Sequence, residues 1–99
     1  MEELRQLSKD QIIMGFVASC VEDVANRLGV DYSVIYKRMD DVGMIDKYLI
    51  PFYNTLHTES RENLTDSLIE SLNRWEEQRW NYIMDFIVSS RSGEKPWED

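Results

Sequence analysis

The 99-residue sequence predicts an all-α single domain, a small bundle of four to five helices whose last helix is either long or split in two. Three observations predict it. From residue 8 onward, apolar residues recur at intervals of three and four, the spacing that lines one side of an α-helix. Ser8-Lys9-Asp10-Gln11 has the pattern of a capping box, and Gly29 and Gly43 stand where two apolar stretches stop. The one run with strand chemistry, Tyr32-Ser33-Val34-Ile35-Tyr36, finds no second segment to pair with and is read as helix.

Taken in order, the first helix starts at the capping box and carries Ile13, Phe16, Val17, Cys20, Val24 and Leu28 on one stripe. Asp23 and Arg27 fall on its other side, and Gly29 is its C-cap. Asp31 or Ser33 caps a short second helix with Val34, Ile35, Tyr36 and Met39, and Gly43 stops it. Residues 44–56 are strongly apolar at helical spacing, but Pro51 removes a backbone donor in their middle and predicts a kink or two short helices. Thr58 or Ser60 caps a final helix in which Leu64, Leu68, Leu72 and Trp75 follow at intervals of four, four and three. No glycine or proline interrupts it before Ser90.

Within residues 75–88, Trp75, Trp80, Tyr82, Ile83, Met84, Phe86, Ile87 and Val88 cover more than half of the helix circumference. One neighbouring helix cannot bury that much. The segment therefore folds back into the bundle or projects and buries itself against another chain. Residues 92–99 have loop chemistry and read as a frayed tail in which Trp97 can dock. The organisation expected is one domain over 1–99, with a core at 8–73, a helical extension at 74–91 and the tail at 92–99.

Apolar residues at 42% and charged residues at 30% describe a chain that folds rather than a disordered one. No apolar run reaches membrane-spanning length and Met1-Glu2-Glu3 is acidic where a secretory signal is basic, so a cytoplasmic location is expected. Cys20 is the only cysteine, which excludes an intramolecular disulfide and a thiolate-rich metal site. Nineteen acidic against eleven basic residues give a net charge of −8, which disfavours direct nucleic acid binding and favours a basic protein surface.

His57 is the only histidine, so a pair with Cys20 is the one Cys–His arrangement the composition permits. Cys20 sits on an apolar stripe, where a cysteine acts as a small hydrophobe, and His57 reads as a helix-end residue. No Glu-x-x-His spacing, Gly-x-Ser-x-Gly elbow or glycine-rich phosphate loop occurs. No catalytic residue, cofactor or metal is assigned. Two features instead suggest a binding surface. Glu62, Asp66 and Glu70 form an acidic column at i, i+4, i+8, and Trp75, Trp80, Ile83 and Ile87 supply aromatic and aliphatic anchors.

Phe16 and Cys20-Val21-Glu22, then Tyr36, Met39 and Gly43-Met44-Ile45-Asp46-Lys47-Tyr48-Leu49, then Tyr53-Asn54-Thr55-Leu56-His57-Thr58 and Ser60-Arg61-Glu62, follow one another in a distinctive order. This order resembles a family of very short bacterial proteins known as a domain of unknown function, over roughly residues 12–73. The resemblance implies a small helical protein, often encoded beside a larger protein with an ADP-ribosyltransferase-like domain, and hence an accessory or antitoxin-like role. It carries no catalytic residues onto this chain, which departs from the family's short form from Arg74 onward.

Read without the family, Gly43 ends one helix, Asp46 caps the next, and Ile45, Tyr48 and Leu49 pack inward, making a helix–turn–helix corner. Lys37, Arg38 and Lys47 near it are cancelled by Asp40, Asp41 and Asp46, so the basic footprint of a DNA reader is missing. The function expected is therefore a protein-interaction module that regulates a partner, not an enzyme. A self-assembling homodimer is the first alternative, and a small enzyme using His57 the second.

Overall fold

In the computed structural model, which describes residues 7–91 and their side chains through Val88, the chain is all-α, with four α-helices and one π-helical turn among the described residues. The first helix, α1 (Lys9–Leu28), begins at Ser8. The Ser8 hydroxyl accepts from the Gln11 N–H at 3.2 Å, and the Gln11 side chain accepts from the Ser8 N–H at 2.9 Å, so the expected capping box is complete. Gly29 ends α1 at φ 69, in the left-handed region, and the Val30 N–H donates back to the Ala25 carbonyl at 3.0 Å.

A Cβ at Gly29 would meet nothing within 4 Å, so only the backbone conformation opposes a substitution there. Gly29→Ala is expected to lower stability by about 1 kcal/mol, read as a lower urea midpoint at unchanged slope. An unchanged midpoint would mean that the turn relaxes out of the left-handed region.

Asp31 caps α2 (Tyr32–Asp41), accepting from the backbone N–H and the hydroxyl of Ser33; these bonds hold its carboxyl below the ordinary range. Beyond Gly43, at φ 80, the chain is already helical at Met44. Asp46 therefore does not cap the next helix as expected. It lies exposed inside the first turn of the π-helical segment Ile45–Leu49, past the extended position from which a side chain caps a helix.

The wide turn closes with the Ile50 N–H donating to the Ile45 carbonyl at 3.1 Å, one residue beyond the α-helical partner. Pro51, which has no N–H, follows immediately, and helicity resumes as α3 (Tyr53–Leu56). The expected interruption at Pro51 is thus two short helical pieces. The Thr58 hydroxyl donates to the Thr55 carbonyl at 2.8 Å, and Ser60 accepts from the Asn63 N–H at 3.1 Å to start α4. The last helix, α4 (Arg61–Arg91), is one unbroken helix of 31 residues. At ~1.5 Å per residue it is about 46 Å long, well beyond the width of a small domain.

A single core forms where α1 packs on α2 and on the first half of α4. Val17, Val21 and Val24 from α1, Ile35 and Met39 from α2, Met44 and Leu49 around the π turn, Leu56 from α3, and Leu68 and Leu72 from α4 are buried there. Thr65 is buried among them, its hydroxyl satisfied by the Arg61 carbonyl at 2.7 Å.

Two expected placements on α1 change. Leu28 is exposed, because the helix ends at Gly29 beyond the reach of the core. Asp23 and Arg27 do not face away from the bundle: α4 packs along their side, Asp23 accepts both Nε and Nη2 of Arg61 at 3.0 and 2.6 Å, and Arg27 pairs with Asp66. Val34 and Tyr36 also lie outside the core, with the Tyr36 ring stacked on Tyr32 at 6.3 Å. No described helix is long and apolar enough to cross a membrane. The expected tail at 92–99, with Trp97, lies outside the described residues.

Candidate functional site

Packing divides α4 into two parts. Leu64, Leu68 and Leu72 carry the core stripe, and Trp75 ends it, half-buried, with its ring edge against Tyr48 at 5.9 Å. At the next residue, Glu76 accepts Nε and Nη2 of Arg38 at 2.7 Å each, a two-pronged clamp between α2 and α4. This contact holds the Arg38 guanidinium above its ordinary range.

Beyond the clamp the apolar pattern continues, and among the described residues no second helix covers it. Trp80 is 59% exposed, Tyr82 74%, Phe86 66%, Ile87 41% and Val88 59%. Among the described side chains beyond the clamp, Ile83 and Met84 alone are half-buried. Of the two arrangements open to this stretch, the chain adopts projection.

Exposed β-branched and aromatic residues are modest helix formers, and a helical half without tertiary contacts is marginal in water. The projecting half exposes Trp80, Tyr82, Phe86, Ile87 and Val88, side chains that a helix inside a bundle would bury. Two depressions flank its base, on either side of Arg79. One of about 280 Å³ lies between Arg38 and Val42 on the α2 side and Glu76, Trp80 and Ile83 on α4; the other, of about 410 Å³, lies beside Val42, Trp75 and Tyr82.

The seven residues expected to bind a partner fall into three places. Trp80, Ile83 and Ile87 lie on the projecting half, together with Tyr82, Phe86 and Val88. Trp75 works inside the body, closing the core over Tyr48. Glu62, Asp66 and Glu70 are exposed in a column, but Asp66 pairs with Arg27 and Glu70 with Arg74 at 3.3 Å. Among the described residues only Glu62 of the three lacks an ion-pair partner, so the column presents less charge than its spacing suggested.

The Arg38–Glu76 clamp and the groove beside it were not among the expected site residues. The two halves of the clamp are 38 positions apart, and no local pattern joins them.

Cys20 and His57 line one shallow depression of about 200 Å³, with Asp23, Leu56 and Arg61. Burial pushes the Cys20 thiol up to about 12; the negative charge of Asp23 adds to the rise and Arg61 opposes it. A thiol held neutral there is a poor nucleophile. His57 is exposed and stacks on Tyr53 at 4.5 Å. No described group of three or more His, Cys, Asp or Glu side chains converges as a metal site would.

Because the folded thiol titrates above the ordinary 9.0, the folded state holds a proton that the unfolded chain releases between pH 9 and about 12. Cys20 therefore favours folding below pH 9, and that contribution is lost as pH rises toward 12. Iodoacetamide at pH 8 should label Cys20 far more slowly in the native protein than in urea. Equal rates would show that the thiol is open to solvent.

The chain belongs to DUF3791, a family described as proteins of unknown function, whose model matches residues 15–75. No curated protein and no solved structure matches it. The match ends at Trp75, the residue at which α4 leaves the core, so the projecting half lies beyond it. Within the match, Met44, Ile45, Leu49 and Leu56 are buried core and Tyr48 packs on Trp75. These positions build the body.

Proposed function

We propose that this DUF3791 member is a protein-interaction module whose body presents the projecting half of α4 as a docking helix. One observation carries the reading: five large apolar side chains, Trp80, Tyr82, Phe86, Ile87 and Val88, stand exposed on one helix beyond the last core contact. An uncovered aromatic and aliphatic surface of this kind marks a protein-binding site more often than a solvated face. The acidic surface around Glu62 is a secondary contact that would steer a basic partner.

The regulatory or antitoxin-like role, with an ADP-ribosyltransferase-like enzyme as partner, rests on the family resemblance alone and is the specific form of this reading to test. The reading as a small enzyme using His57 is weaker, since that ring is exposed and stacked on Tyr53 rather than paired with an acid among the described residues.

The test compares the wild-type chain with Trp80→Glu/Phe86→Glu for self-association and for co-purification with a candidate partner enzyme. The reading predicts that the wild type associates and that the double variant loses association while keeping its far-UV circular dichroism. A wild-type chain that associates with nothing, itself included, overturns it.

A further inference from the structure

We propose that the projecting half of α4 is an order–disorder device: in the uncovered chain, residues 81–88 wind and unwind as a unit separate from the body, and the Arg38–Glu76 clamp marks where the body's hold ends. The device is a property of the chain itself. It stands whatever covers that half, and so goes beyond the docking reading.

Intrinsic propensity does not separate the two halves of α4. Seven of the twelve residues 64–75 are weak helix formers, and so are eight of the twelve in 77–88, all but Glu77, Gln78, Arg79 and Met84. Packing separates them. Leu64, Leu68 and Leu72 are buried, whereas the large apolar side chains beyond the clamp are exposed, and the half-buried Ile83 and Met84 are not among those packed on the core. Ion pairs follow the same division. Arg61–Asp23, Arg27–Asp66, Arg74–Glu70 and Arg38–Glu76 all engage α4 at or before residue 76, and among the described residues none engages 77–88.

Hydrogen bonding makes the segment separable. Each helical N–H donates to the carbonyl four residues earlier, so the amides of 81–88 bond to 77–84, all beyond the clamp. Unwinding them breaks no backbone bond of the body and opens none of the core. Rewinding is equally local, because residues 61–76, held by the body, supply the nucleus that an isolated helix lacks. Even good formers extend a helix by a factor of only about 1–1.6 per residue near 0 °C, and weak formers by about two- to threefold less. Without tertiary contacts the helical population therefore falls away within a few residues of the last packed turn.

Whatever covers this surface must also wind it. The ordering cost is then met at binding, and affinity comes to depend on helix propensity at positions that touch nothing.

Amide exchange of the full chain in dilute urea, at a concentration where light scattering gives the single-chain mass, tests the device. Amides at 64–72 should be slowed more than about a thousandfold relative to an unstructured chain, with rates that rise steeply with urea. Those at 81–88 should be slowed less than about tenfold, with rates that urea barely changes. Slowing at 81–88 equal to that at 64–72, with the same urea dependence, overturns the device, because the helix would then unfold only with the body.

Asn81 is exposed and supplies a second test. Exchange at 81–88 should be slower in Asn81→Ala than in Asn81→Gly by up to about fivefold, with 64–72 the same in both. If exchange at 64–72 shifts by the same factor, α4 behaves as one unit and the separation is overturned.

Discussion

Leu72→Ala is expected to cost about 2–5 kcal/mol of folding stability, the range for truncating a fully buried leucine. Leu72 is completely inaccessible, and beyond it, among the described side chains of α4, the half-buried Trp75 alone packs on the core. The side chain therefore fills volume and also fixes where α4 leaves the body. A domain of this size has ~5–15 kcal/mol in total, so the variant should unfold at a much lower urea concentration and lose helicity cooperatively. A loss under about 1 kcal/mol would show that α4 does not close the core.

The second large effect is expected at the Arg38–Glu76 clamp. Both side chains are about one third exposed, at 32% each, and two hydrogen bonds of 2.7 Å join them. Arg38→Ala should cost about 1–2 kcal/mol, because it leaves Glu76 beside the core without its donors. The partial exposure keeps the effect below that of a fully buried pair. A double-mutant cycle with Glu76→Ala should give a coupling energy of about 1 kcal/mol. Independent effects of the two substitutions would show the contact to be a surface ion pair without structural weight. Loss of the clamp should also speed amide exchange from residue 76 onward more than within 61–72.

Local signals were the legible part of the fold. Ser8 with Gln11, Gly29 and Pro51 act through their own backbone or through neighbours within four residues, and each does in the structure what its chemistry implied. Asp46 failed for the same local reason run backwards. Its spacing from Gly43 suited a cap, but the chain enters the π turn already helical at Met44, a choice set by burial of Met44, Ile45 and Leu49. Leu28 shares the spacing of the α1 stripe, yet a period says which side a residue faces and not where the neighbouring helix ends.

The candidate site was legible as an excess. More apolar surface between residues 75 and 88 than one neighbour can bury was visible from the spacing, and the projecting half carries that excess. Trp75 could not be told from Trp80 by sequence, because only the distance to Tyr48 separates a core ring from an exposed one. The acidic column read more strongly than it stands, since Arg27 reaches Asp66 from another helix 39 positions away. Cross-helix ion pairs of this kind have no signature in a linear pattern.

The central claim is that the body carries the fold and the projecting half of α4 carries the association. Urea unfolding of Trp80→Glu/Phe86→Glu, at a concentration where the wild-type chain is monomeric, tests it most directly. The account predicts a stability within about 0.5 kcal/mol of the wild type, since neither ring contributes to the core. A loss of about 2 kcal/mol or more, the size of a buried aromatic's contribution, would contradict it and place those rings inside the fold.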